Sequence, residues 1–417
     1  MNYRMANIKF FLIQALVVIF LGCSDDISNA KINQKPILNI TYNVDALNVT
    51  IEGSAIDYDG TISKVKIDWG DNKIDILLES EFLNIEESHT YLNPATYNIL
   101  ITTSDNDGDS TYQSLSLVVD FKDVSLDKIK ESMFKTSDNE YLILTVNLHT
   151  YQENMQNEKF HMLTEAIGKM DIDFIAFQEC AQNKSTSIYE GIIREDNMAL
   201  IISNNLKENY DVDYNFVWNW AHYGWDVWEE GIAILSKYPL QDSEDKYIST
   251  STNTSNIASR KVIYGAYQIP EGKINIFSAH THWRTSETDE EQNNQIKNVK
   301  QMVEEKEALN SVIATFVCGD FNGNPTSAYP WSEGYNTMVN NGVFVDTYLE
   351  IYPDANTKPA QSIYNTIGGT YPGRIDYIFM KNNTSLKVLD SQIIFTDDII
   401  GKISDHNAVL TKVGFIQ

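Results

Sequence analysis

Three short polar boxes lie near the C-terminal end, each against an apolar run. They read Cys318 Gly319 Asp320 Phe321 Asn322 Gly323 Asn324 Pro325, then Gly373 Arg374 Ile375 Asp376 Tyr377, then Ser404 Asp405 His406 Asn407 Ala408 Val409. A buried strand that ends in carboxylate, amide or imidazole groups delivers them to the edge of a sheet. Together these groups can hydrolyse a phosphate ester. Carboxylates hold a hard divalent cation, a further carboxylate activates water, and an amide and an imidazole stabilise the phosphoryl oxygens.

Upstream stretches extend the set. Asp173 to Glu179 is an apolar run ending in an acid, Ile274 to Trp283 carries His280 and His282, and Leu144 Thr145 Val146 ends in Asn147. A lone carboxylate at the end of a buried strand is costly unless it is paired or ligates a cation, which makes Glu179 a metal candidate. Asp320 and Asn322 are two apart and share a face if the strand continues, while Phe321 points into the core.

Six such boxes in this order resemble the endonuclease/exonuclease/phosphatase superfamily, over roughly Glu140 to Gln417. That superfamily includes pancreatic deoxyribonuclease, abasic-site endonucleases, neutral sphingomyelinases and inositol polyphosphate 5-phosphatases. The resemblance implies an α/β (α+β) four-layer sandwich, two packed sheets with helices outside and the site at the sheet edges. It places Mg²⁺, with Mn²⁺ as a substitute, on Asn147, Glu179 and Asp405. It has Asp320 orient or deprotonate water and Asn322 donate to a phosphate oxygen, while His282 and His406 flank the phosphoryl group. Asp376 would orient His406, and Glu230 would orient His282, with the adjacent Glu229 an open alternative. His282 is preferred to His280 because Thr281 His282 Trp283 fits the superfamily's Thr-His-Leu string, with Trp in place of Leu.

The elements that must hold these groups follow from periodicity. Strands alternate with helices such as Asn157 to Met170 and Glu290 to Leu309, which suits helices layered on sheet. Four of the seven tryptophans fall between Val217 and Trp228. Trp218 and Trp220 read as strand core, whereas Trp225 and Trp228 in a Gly-containing loop read as an aromatic wall for a base, a sugar, an inositol or lipid.

From Lys35 to Phe121 the pattern is period two, with Val65 and Ile67, then Ile99 and Ile101, between Asp-Gly turns. This stretch resembles the polycystic-kidney-disease domain, an immunoglobulin-like all-β sandwich with Trp69 as its core tryptophan. The expected divisions are a signal peptide at 1–22, a tether at 23–34, this β-sandwich at 35–122, a linker at 123–139 and the catalytic domain at 140–417. Leu126, Ile129 and Met133 predict a short linker helix.

Arg4 and Lys9 precede an apolar run from Phe10 to Leu21, too short to span a bilayer comfortably, and Gly22 Cys23 follow. This looks like a bacterial lipoprotein signal cleaved before Cys23, with lipid on its thiol. Ser24 Asp25 Asp26 resembles an export tag of surface lipoproteins, so the chain is expected in the outer membrane and exposed at the cell surface. Of the other cysteines, Cys180 and Cys318 read as small buried apolar groups, with a disulfide between them left open.

A formal charge of −27 argues against a sequence-independent grip on nucleic acid, though not against a local basic cleft. The function expected is a metal-dependent phosphodiesterase or phosphatase, a monomer, acting on phospholipid, inositol phosphate or nucleic acid. Surface polymer or protein would meet the N-terminal sandwich. The alternative is a surface binding or adhesion lipoprotein with an inactive enzyme-like domain.

Overall fold

The computed structural model describes residues 32–309, 311–325, 333–357, 362–368, 373–382 and 385–415. The signal segment, Cys23 and nearly all of the tether lie outside these residues. Two compact units emerge among these residues, one from 32–43, Thr50–His89 and Tyr97–Leu117, the other chiefly from Val118 onward.

In the first unit, strands Ile37–Asp45, Asn48–Ile56 and Ile85–Thr90 form one sheet. Ile74–Ile76, Ile62–Asp68, Ala95–Asp105 and Ser110–Val119 form a second. Alternation sends every second side chain inward, and Ile51, Val65, Ile67, Ile99 and Ile101 are fully buried. Trp69 is buried with them, its indole N–H donating to Asp75 Oδ2 at 2.6 Å. This all-β region is consistent with a β-sandwich.

The second unit opens with a four-residue helix, Lys130–Met133, at the place the spacing of Leu126, Ile129 and Met133 predicts; all three are buried. Two mixed sheets follow. The first runs Gln182–Asn183, Trp228–Ser236, Phe174–Gln178, Glu140–Asn147, Ala408–Phe415, Leu386–Ile394, with Asn215–Gly224 also pairing Trp228–Ser236. The second runs Leu240–Tyr247, Lys261–Ile269, Gly272–His280, Ala314–Asp320, Asp376–Lys381, Phe344–Asp346.

Packing sorts the strand residues by parity. One core cluster joins Tyr141, Ile143, Phe174, Ala176, Ile232 and Ile234 of the first sheet to Ile274, Ile276, Phe316, Cys318, Ile378 and Met380 of the second. The alternate residues Ile175, Phe177, Ala233 and Leu235 pack instead with helices Gln156–Met170 and Met198–Tyr210. Likewise Phe277, Ala279, Val317, Tyr377 and Phe379 pack with helices Glu291–Leu309 and Glu333–Val339. Cys180 and Cys318 are free and sit in separate clusters.

Gly319 decides one close approach. Strands Gly272–His280 and Ala314–Asp320 pair in parallel with His280 opposite Asp320. A Cβ at Gly319, whose φ is +145°, would fall 1.9 Å from the Ala279 carbonyl oxygen. Any larger residue would push these strands apart at the point where both deliver polar side chains.

Candidate active site

Each inward-facing row ends in a polar group at the same end of the two sheets. Tyr141, Ile143 and Thr145 lead to Asn147; Phe174 and Ala176 to Gln178; Ile274, Ile276 and Ser278 to His280; Phe316 and Cys318 to Asp320. Met380 and Ile378, read backwards, lead to Asp376, and Ile234 and Ile232 to Glu230. Register locks the ends together: Asn147 is opposite Gln178, His280 opposite Asp320, and Asp320 opposite Asp376. Beneath them a buried polar chain runs within the first sheet and then crosses to the second. Thr145 Oγ1 donates to Gln178 Oε1 at 3.2 Å, and Gln178 Nε2 donates to Ser278 Oγ at 3.0 Å.

Glu179 follows its strand in the left-handed region at φ 46°. Asn147 Nδ2 donates to Glu179 Oε1 at 2.9 Å and to Asp320 Oδ2 at 3.1 Å, so one buried amide ties two carboxylates from different sheets. Asp320 Oδ1 accepts the Asn322 backbone N–H at 2.8 Å. Glu179, His280 and Asp320 offer ligand atoms within 4.8 Å of one another, as do Asp320, Asp376 and His406. Asp405 lies further out, its side chain 46% exposed, with Oδ1 3.4 Å from His149 Nδ1.

The electrostatics are those of carboxylates short of positive charge. Burial, with the Glu230 carboxylate nearby, pushes Glu179 up to about 7. Burial and the neighbouring Asp376 push Asp320 up to about 7. For His406 burial disfavours charge, yet Asp376, bonded to Nδ1 at 2.9 Å, together with Asp320 holds the imidazolium well above the usual range. His280 moves the opposite way, held well below the usual range by burial first and then by the Arg260 guanidinium and His222.

The sequence-based pairing of Glu230 with His282 is not made. His280 is the last residue of its strand, so its inward direction is set by parity, whereas His282 lies past the strand end and parity no longer carries. His280 Nε2 is 3.7 Å from Asp320 Oδ2 and 3.3 Å from Asn322 Nδ2, and its Nδ1 is 4.0 Å from Glu230 Oε1. His282 instead packs its ring on Trp283, with centroids 4.1 Å apart, and its backbone N–H donates to Gln295 Oε1 at 2.7 Å. Glu230 also meets His222 Nε2 at 3.2 Å and Thr150 Oγ1 at 3.1 Å. Glu229, on the other face, pairs with Arg194 and Gln182.

The tryptophan wall divides as well. Trp225 is 57% exposed and lines a cleft of about 430 Å³ over this cluster, shared with His149, Ile257, Arg260 and Trp283. Trp228 departs from the expectation. It stacks on Tyr151 at 4.6 Å and 15° and packs against the helix-side core, because it already belongs to strand Trp228–Ser236 rather than to the loop. Trp218 is buried, its N–H donating to the Cys180 carbonyl at 2.7 Å.

Sequence reasoning missed His149, Thr150, His222 and Arg260. His149, Thr150 and Tyr151 are consecutive left-handed residues at φ 54°, 41° and 58°. Such a turn stores strain on the order of 1–3 kcal/mol per residue. It carries Thr150 to both Glu179 and Glu230, at 3.3 and 3.1 Å. No local pattern marks such a turn. Arg260 did carry a readable signal, a charge directly before the apolar strand Lys261–Ile269.

The family model described as "Endonuclease/Exonuclease/phosphatase family" matches residues 154–406, more than half of the chain. A solved family protein from Leptotrichia buccalis C-1013-b is 26% identical, with 66% of this chain and 100% of that one covered and a TM-score of 0.56. A family protein from Bacteroides thetaiotaomicron is 15% identical, covering 66% and 95% at a TM-score of 0.48. A mannosyl-6-phosphatase from Bacteroides thetaiotaomicron VPI-5482 is 16% identical, covering 66% and 100% at 0.46. No curated protein matches the chain.

Proposed function

Because this chain belongs to the endonuclease/exonuclease/phosphatase family, whose members are phosphoesterase and nuclease hydrolases, we propose that it is a divalent-cation-dependent phosphoric ester hydrolase of the bacterial cell envelope. The observation that carries this reading is the convergence of Glu179, Asp320, His280 and the Asp376–His406 pair at one end of both sheets. The three packed clusters support a four-layer reading of the catalytic unit, and the buried Trp69 supports an immunoglobulin-like reading of the N-terminal one.

The donor set fits a hard cation. Glu179, held above the usual carboxylate range by burial and the Glu230 carboxylate, would hold it, with Asn147 and the more exposed Asp405 beside it and the Asp320 carboxylate facing the same space. When bound, Mg²⁺, or Mn²⁺ in its place, supplies positive charge to a phosphoryl oxygen. The chain's own groups do the rest. Asp320 Oδ2, steadied by the Asn147 amide, takes a proton from the attacking water. His406, kept cationic by Asp376, faces the same carboxylate at 3.8 Å and donates to the departing oxygen. Asn322 Nδ2 donates to the Thr281 carbonyl at 2.9 Å, which holds this amide beside His280. Trp225 stands at the mouth, where it meets the rest of the substrate.

Hydrolysis of bis-p-nitrophenyl phosphate in Mg²⁺, lost in EDTA, is the expected result; inertness toward it, DNA, RNA, sphingomyelin and inositol phosphates alike would favour the adhesion reading. Cation affinity is expected to climb as pH rises through the region around 7, since Glu179 and Asp320 shed their protons at about 7. Titration calorimetry in two buffers of different ionisation heat should show protons released just below that pH, and Glu179→Gln should reduce the release. An affinity flat across this range rules the shared carboxylate site out.

Envelope anchoring rests on the sequence around Cys23. Cys23→Ser should yield an uncleaved or soluble form that takes up no palmitate, and a labelled, membrane-bound variant would refute the lipoprotein reading.

A further inference from the structure

We propose that the groove between helices Gln156–Met170 and Met198–Tyr210 is a binding site for a neutral saccharide, separate from the catalytic cleft. This goes beyond the phosphoesterase reading and does not depend on it.

Helical spacing gives each helix more than one stripe. Leu163, Ile167 and Met170 of the first, with Ile202 and Leu206 of the second, pack in the core. The neighbouring stripes, Asn157, His161 and Thr164 on the first helix and Ile201, Asn205 and Asn209 on the second, line a cavity of about 590 Å³. Small-ligand sites usually measure about 300–1,000 Å³. None of its lining residues lines the catalytic cleft, and all of them belong to the second unit. Asn is a poor helix former, since its side chain competes with the backbone for hydrogen bonds, so local propensity gives no reason for Asn205 and Asn209 one turn apart.

Thr164 supplies the observation that points to a ligand. It is 1% exposed and lines the cavity, yet its hydroxyl makes no hydrogen bond among the described residues. A buried hydroxyl without a partner is destabilising, and a polar ligand in the groove supplies one. The remaining groups define that ligand. The amides of Asn157, Asn205 and Asn209 both donate and accept, as the hydroxyls of a sugar do. Phe121 stacks on His161, with centroids 4.7 Å apart and planes at 22°, and Tyr210 lies against Gly168, where a Cβ would fall 2.5 Å from its ring. Aromatic rings beside amides suit a pyranose, whose C–H faces are apolar and whose rim is polar. Among the described residues no Lys or Arg lines the cavity, whereas Asp120 and Glu165 do, so an anionic ligand is disfavoured. A cationic one is disfavoured as well, because these carboxylates are taken. Glu165 Oε2 accepts the Val124 backbone N–H at 3.0 Å and lies 3.0 Å from His161 Nε2, Lys169 meets its other oxygen, and Asp120 Oδ1 accepts the Phe121 backbone N–H at 2.8 Å.

The test uses the full chain in EDTA, with glucose, mannose, galactose, N-acetylglucosamine and their disaccharides as probes. At least one should raise the melting temperature, because a ligand bound to the folded state stabilises it, and should show saturation transfer from the protein by NMR. T164V removes the unpaired hydroxyl at nearly equal shape, so the free protein should melt no lower than the wild type. The saccharide dissociation constant should nevertheless rise about 3- to 10-fold, the scale of a neutral hydrogen bond. N205A/N209A should fold, since alanine is the better helix former, and should lose binding. Both variants should match the wild type toward bis-p-nitrophenyl phosphate in Mg²⁺, which keeps this site apart from the catalytic one. No sugar of the panel binding the wild type, or a folded N205A/N209A that binds as the wild type does, overturns the proposal.

Discussion

Asp320→Asn is expected to lower turnover by about 10²- to 10⁴-fold, the usual cost of losing a group that takes a proton in the transition state. The substitution is nearly isosteric, and the replacement amide can keep the bond from the Asn322 backbone N–H through its own oxygen, so the local turn should survive. What changes is the second oxygen. It faces the Asn147 amide at 3.1 Å, His280 Nε2 at 3.7 Å and His406 Nε2 at 3.8 Å, and only a carboxylate there can accept a proton from water. The loss should fall on kcat rather than KM, since the missing interaction develops as the proton moves. Steady-state kinetics beside a melting curve decide it. A variant of wild-type stability that keeps kcat within about tenfold removes Asp320 from the proton-transfer role.

The second large effect separates the two histidines. His280→Ala should cost at least about 10²-fold in kcat, the scale of losing one fixed group that faces the charge developing on the phosphoryl oxygens, whereas His282→Ala should lower the melting temperature and leave kcat within a few-fold. His280 Nε2 lies 3.3 Å from Asn322 Nδ2 and 3.7 Å from Asp320 Oδ2, inside the cluster. The His282 ring serves Trp283, while its backbone is anchored to Gln295 and Gln292. The opposite ranking, with His280→Ala active and His282→Ala dead, would return the role to the residue that the Thr-His-Leu resemblance favours.

Much of this site was legible because it obeys strand parity. Asn147, Asp320 and Asp376 are the terminal members of buried period-two rows, and a polar residue closing such a row is conspicuous in the sequence itself. Glu179 was legible for a related reason, the cost of a carboxylate abutting a buried strand. The alternation of strand and helix patterns and the short linker helix were equally local, as were the buried positions of Val65, Ile67, Ile99 and Ile101 in the N-terminal unit.

Tertiary structure decided what parity could not reach. His280 and His282 share parity on paper, and only the end of the strand at His280 shows that the second has left the sheet. Trp225 and Trp228 lie close in sequence, but one tips a turn and the other has entered a strand and stacks on Tyr151. Glu229 and Glu230 are adjacent, and which one faces the site depended on which face of strand Trp228–Ser236 meets the second sheet. Arg260, His222 and Thr150 come from separate parts of the chain, and their meeting with the carboxylates rests on contacts up to 80 residues apart. Local periodicity encodes the direction of a side chain within one element, while the partner it meets is set by register and packing between elements, which no single stretch of sequence contains.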